Sequence, residues 1–225
     1  MLVSFVLLLP LSIYLLTRVN ERLTAQDQTA LESLGVVPAC REAKGNFVQE
    51  IACFRLVQQR LLERVPDLHC VHSWGAVSHE PADVLARHKG CCYSRSRVIE
   101  KALRLAGYET RHLSLYRRTH AVGLVDVFWP NQSSHSTSEV LTSRGWVVVD
   151  SNNQYVPVSE DGVPFTSLTL RDRAEKGGAA ALPLAFMEGK YHVIYGLYSR
   201  HGGFYRPFVP LPDIAWKDLS YNFFP

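Results

Sequence analysis

Hydrophobic and polar positions change period several times along the chain. Residues 2–16 (LVSFVLLLPLSIYLL) carry no charge. After Gly45 a helical period sets in. Phe47, Ile51, Phe54, Leu61 and Val65 recur at three- and four-residue spacing, and Pro66 stops the run. Residues 67–90, punctuated by His, Ser, Pro and Gly, predict a long loop with short helical pieces. A second helix is predicted after Gly90, with Val98, Ile99, Ala102, Leu103 and Ala106 on its apolar stripe and Gly107 as its stop. Followed backwards through Leu103, Ile99 and Ser96, that stripe puts Cys92 on the inward face of the first turn. Beyond Gly107 the period becomes two. Residues 110–116, 122–128, 136–142 and 146–150 read as strands, with 191–198 and 156–158 as further candidates. Helices followed by neighbouring strands predict an α+β fold, the Cys92 helix packed on an antiparallel sheet.

The uncharged N-terminal run reaches about 22 Å as a helix at ~1.5 Å per residue, short of a ~30 Å hydrocarbon core. Continued through Thr17 and Val19, with Arg18 snorkelling, it comes close to spanning. A cleaved signal peptide calls for basic residues ahead of the run and a small-residue site after it. Only Met1 precedes it here, and Thr17-Arg18-Val19-Asn20-Glu21-Arg22 follows. The expectation is an uncleaved membrane anchor at 1–22, a connector or short helix at 23–44, and one domain at 45–225. Arg18 and Arg22 favour a cytoplasmic domain. The five cysteines (Cys40, Cys53, Cys70, Cys91 and Cys92) lean the other way, since two disulfides beside one free thiol suit an oxidising compartment. The side of the membrane stays open.

Composition excludes more than it selects. In 225 residues, 47% apolar with ten Phe and ten Tyr, there is material for a sizeable core, and wholesale disorder is ruled out. The net charge of +3 comes without a basic stripe, so nucleic acid is not an expected partner.

The chemistry lies in three separated positions. If Ser143-Arg144 is a two-residue hairpin loop, Thr142 faces Gly145, Leu141 faces Trp146 and Thr137 faces Asp150. His135 is then a diagonal neighbour of Asp150 on one face, within reach of a carboxylate–imidazole bond. A one-residue slip would put them on opposite faces. A thiol at a helix N-terminus feels the positive end of the helix dipole, which favours thiolate. Thiolate, imidazole and orienting carboxylate are what acyl transfer through a nucleophile requires. His120 is the alternative base. A zinc site would have to recruit Cys70, His72, Cys91 and Cys92, but no Cys-x-x-Cys occurs; neither metal nor cofactor is expected. Cys53 and Trp146 read as core, and Cys91 as core or a disulfide partner. His69, His72 and His79 read as solvated loop residues. Trp74 is a lesser candidate for an oxyanion donor beside the backbone N–H of Cys92. Asn131-Gln132-Ser133 matches a glycosylation acceptor.

Gly90-Cys91-Cys92, followed by Leu103-Arg104-Leu105-Ala106-Gly107 and Arg111, resembles the nucleophile segment of the transglutaminase-like superfamily. Ser134-His135, Glu139-Val140 and Gly145 through Asp150 resemble its His and Asp segments, in the same order. The resemblance covers about residues 47–150 and points to a bacterial, membrane-anchored type. It implies a papain-like fold in which Cys92 is the nucleophile, His135 the base and acid, and Asp150 the orienting group. Two features depart from the pattern. Thr137 stands where many members carry an aromatic residue, and the stretch from Arg117 to Ser133 exceeds a minimal turn. The expected activity is cleavage or transfer at a protein or peptide amide through a thioester. The contrasting reading is a non-catalytic binding module on the same fold.

Overall fold

The computed structural model describes residues 2–68, 78–119, 133–176, 190–198 and 213–223. The uncharged N-terminal run is helix α1, Leu2–Thr17. Its last turn closes as Thr17 Oγ1 donates to the Ile13 carbonyl at 2.7 Å. Arg18 then bridges to Ile214, and the Val19 N–H donates to the Ile214 carbonyl at 3.0 Å. Arg18 and Val19 are therefore committed to the folded domain and cannot lengthen the helix, which stops at about 24 Å. Among the described residues no helix is long and apolar enough to cross a membrane. The expected anchor segment 1–22 thus contains a 16-residue helix followed by chain bonded to the folded domain.

The expected connector contains two helices, α2 (Ala25–Glu32) and α3 (Val37–Ala43). A capping box starts α2, with Thr24 and Asp27 satisfying each other's backbone N–H groups. Leu31, Val36, Val37 and Cys40 are buried in the core, α2 lying against two later helices, α5 (Pro81–Arg87) and α6 (Cys92–Leu105), and α3 against α4 (Phe47–Arg64). Cys40 and Cys53 form a disulfide, so Cys53 is both core and cross-link. In α4, the buried Phe47, Ile51, Phe54 and Leu61 hold the predicted spacing.

Strand β1 (Asp67–Leu68) pairs in parallel with β2 (Lys89–Gly90), and α5 (Pro81–Arg87) lies between them in sequence. Helix α6 runs Cys92–Leu105. Past its end Gly107 takes φ +93°, and the Tyr108 N–H reaches back to the Leu103 carbonyl at 2.9 Å. The main sheet comprises β3 (Thr110–Arg117), β4 (Ser134–Thr142), β5 (Gly145–Val149) and β6 (Tyr191–Tyr195). Its order is β5-β4-β3-β6, with every pairing antiparallel. Helix α7 (Ser167–Glu175) precedes β6. A small second sheet of β7 (Leu197–Tyr198) and β8 (Asp213–Ile214) leads into α8 (Trp216–Leu219).

The sheet is covered on both faces. Val140, Val147 and Val149 join Ile99 and Leu103 of α6 and Phe54 and Leu61 of α4 in one core. Leu113, Leu115 and Val148 join Leu170 of α7 and Tyr195 in a second. Trp146, expected in the core, is only half-buried. The Arg111 guanidinium lies 4.2 Å from its ring, and Leu141 opposite is exposed. In place of the candidate strand at 156–158 there is only a bridge between Val158 and Pro164. The candidate strand at 122–128 lies outside the described residues.

Candidate active site

Gly90 sets the approach to α6. A Cβ there would come within 3.3 Å of Val65 and Val84 side chains, so glycine lets this turn lie against α4 and α5. Cys91 caps the helix in extended conformation and is disulfide-bonded. Cys92 opens the helix as a free, half-buried thiol. The N–H groups of a helix's first turn have no intrahelical partner, which makes this end a local positive pole.

The β4–β5 hairpin has the register that the two-residue loop predicts: Thr142 faces Gly145 and Leu141 faces Trp146. His135 and Asp150 meet, with His135 Nε2 at 2.5 Å from Asp150 Oδ1. Both are nearly inaccessible to solvent. The imidazole also hydrogen-bonds the Cys92 sulfur. Cys92, His135 and Asp150 thus form one continuous chain of contacts.

The electrostatics follow from these contacts. Burial pushes the Cys92 thiol up, but the His135 bond and charge, helped by the backbone N–H groups of Ser136 and Tyr93, outweigh it. The net result lies below an ordinary thiol. Burial pulls His135 down, whereas the charge and bond of Asp150 and the contact with Cys92 raise it to about 10. Burial pushes Asp150 up, and His135, Asn153 and the Asn152 N–H bring it below the usual carboxylate range. Both shifts run toward a thiolate facing an imidazolium.

Several partners of this group were not apparent from the sequence. Asn153 Nδ2 donates to Asp150 Oδ2 at 2.7 Å, and the Asn152 N–H donates to the same oxygen at 3.2 Å. Asp150 Oδ1 is thereby turned toward His135. Gln58 of α4 donates to the Asp150 and Tyr155 carbonyls at 2.8 and 2.9 Å and fixes the loop behind the carboxylate. Arg95, one turn into α6 and buried, donates to Asn152 Oδ1 at 3.1 Å and to the Val65 carbonyl at 2.6 Å. It joins the helix that carries the thiol to the loop that carries the acid. The only sequence signal for Asn152 and Asn153 was two amides just after a strand-ending Asp, a pattern that favours local side-chain turns.

Residues 69–151 match the family model of the transglutaminase-like superfamily. That segment contains all three members of the contact chain, as well as Gly90 and Arg95. No curated protein and no solved structure matches the chain.

Other residues of the matched segment have defined places. Arg111 Nε donates to Glu139 Oε2 at 2.8 Å, and Glu139 Oε1 accepts the Ser167 N–H, joining β3, β4 and α7. Thr137 is buried and donates to the Val149 carbonyl at 2.9 Å. His79, expected as a solvated loop residue, is half-buried. Its Nδ1 is 3.0 Å from Ser94 Oγ, and its ring meets Tyr93 edge-on. His69, Cys70, His72, Trp74, His120 and Asn131 lie outside the described residues. Among those described, no group of three or more His, Cys, Asp or Glu is arranged to hold a metal ion.

Proposed function

We propose that this chain is a cysteine-dependent acyl hydrolase or transferase acting on amide carbonyls. The observation carrying this reading is the chain of contacts from the Cys92 sulfur through His135 to Asp150, with the thiol below its ordinary range. The thiolate attacks the carbonyl carbon, and the carbonyl electron pair moves to oxygen. The Cys92 N–H, at the first turn of α6, donates to that oxyanion. As the C–N bond breaks, the His135 imidazolium gives its proton to the departing amine and a thioester remains. Neutral His135 then takes a proton from water or from a second amine, which attacks the thioester and expels the thiolate. Water gives a peptidase or amidase and an amine gives cross-linking, on a protein or peptide amide. The Cys40–Cys53 disulfide and the disulfide at Cys91, beside free Cys92, support placement in an oxidising compartment.

The test is intact-mass detection of a covalent adduct with an electrophilic peptide amide mimic. Wild type should gain one adduct and Cys92→Ala none. His135→Ala should form it about 10²- to 10⁴-fold more slowly. An adduct that persists in Cys92→Ala, or an unchanged rate in His135→Ala, overturns the reading in favour of a binding module.

A further inference from the structure

Helix α1 has no polar face, and Leu11, Ile13, Tyr14, Leu15 and Leu16 are between 41% and 61% exposed. A helix of apolar sequence all round, with these side chains in solvent, needs a covering medium in its working state. The chain leaving α1 is not a loose tether. Besides the bonds to Ile214, Arg97 donates to the Asn20 carbonyl at 2.7 Å and Lys101 to the Arg22 carbonyl at 2.8 Å. The base of α1 is fastened to α6 and β8.

A cleft of about 460 Å³ opens at that base, lined among others by Tyr14, Arg18, Glu21, Arg22, Trp216 and Lys217. Three cations face one carboxylate. Among the described residues, the guanidinium groups of Arg18 and Arg22 make no ion pair. Lys217 reaches Glu109 at 2.8 Å and keeps most of its side chain exposed. Tyr14 and Trp216 lie with ring centroids 6.0 Å apart beside the cations. Apolar helix, aromatic pair and cationic rim follow one another in the order of hydrocarbon, interface and headgroup layers.

We propose that this cleft receives the phosphate of an anionic phospholipid while α1 enters the bilayer, so that the domain is seated on the membrane surface. Helix α1, at about 24 Å, passes the midplane of a ~30 Å core without crossing it. Arg18 and Arg22 then sit at headgroup level. A second copy of the chain is a poorer occupant, because pairing two α1 helices side by side would bring two cationic rims together. The proposal does not rest on the acyl-transfer reading.

The experiment is co-sedimentation of the full chain with phosphatidylcholine vesicles, with and without phosphatidylglycerol. Wild type should bind both and prefer the anionic vesicles. The double variant Arg18→Gln/Arg22→Gln leaves the backbone bonds in place. It should keep its binding to phosphatidylcholine and lose about thirtyfold on anionic vesicles, at roughly 1 kcal/mol per basic residue near the surface. Leu15→Asp should lose binding to both. Inorganic phosphate should not displace wild type at matched ionic strength. An unchanged Cys92 alkylation rate in each variant certifies the fold independently of lipid. Equal anionic binding by wild type and a folded double variant overturns the proposal. Absence of vesicle binding, with a dimer in sedimentation velocity, overturns it in favour of self-association.

Discussion

At Cys92 opposing physical effects meet on one sulfur. Removal from water favours the neutral thiol; imidazolium and two backbone N–H groups favour the anion and prevail. Iodoacetamide alkylation should therefore rise through a midpoint below the ordinary thiol value of about 8.5. In His135→Ala the midpoint should move above that value, because burial remains and its counterweight is gone. The same pair makes stability depend on pH. The folded-state value of His135 is raised from 6.5 to about 10, so its contribution is complete below 6.5 and is lost as pH rises toward 10. Alkaline titration of the melting temperature should show a larger fall in wild type than in His135→Ala. Asn153 acts one bond further back. Asn153→Ala frees Asp150 Oδ2 from a charged hydrogen bond worth about 1.5 kcal/mol. Adduct formation should slow roughly tenfold, at about 1.4 kcal/mol per tenfold, and the alkaline limb of its pH profile should move to lower pH. A purely structural role would lower the melting temperature and leave that limb in place.

Elements differ in how far their own residues specify them. The β4–β5 hairpin was legible down to its register, because a two-residue loop leaves little freedom and each slip reverses every side chain. Helix α6 was legible because its stripe is strong and Gly107 stops it at φ +93°. Helices α2 and α3 were not: seven and eight residues give too short a window for periodicity. Their stability comes from burial of α2 against α5 and α6 and of α3 against α4, and from the Cys40–Cys53 bridge, which closes a loop with a sequence separation of 13. Replacing both cysteines by alanine should cost about 3 kcal/mol by loop-closure entropy, read from urea unfolding. The Cys92 alkylation rate in the folded protein should be unchanged. A loss of that rate in step with stability would mean that α3 helps to shape the site.

Across the whole molecule, a second set of buried polar groups fixes how α6 lies on the sheet. Glu100, two turns beyond Cys92, accepts from Ser138 Oγ of β4 at 2.7 Å and meets His112 Nδ1 of β3 at 2.8 Å. Tyr198 of β7 also bonds Glu100, with its ring stacked on His112. Periodicity could not reveal this cluster, because its members come from four elements and each alone looks like an ordinary polar residue. Cellular placement belongs to the same scale. If the domain faces an oxidising compartment, a membrane-impermeant maleimide should label Cys92 in cells whose outer layer alone is permeabilised, and Cys92→Ala should remain unlabelled. Labelling only after lysis would place the domain on the reducing side. The sequence by itself determined the helix that presents the thiol, the strand pairing that brings His135 alongside Asp150, and the residue types for nucleophilic chemistry, because each depends on spacing within one or two neighbouring elements. Only the tertiary structure decided that α1 ends at Thr17, that residues 23–44 join the core, and that Gln58 and Arg95 stand behind the acid. Those outcomes depend on contacts between residues far apart in the chain, where local spacing carries no information.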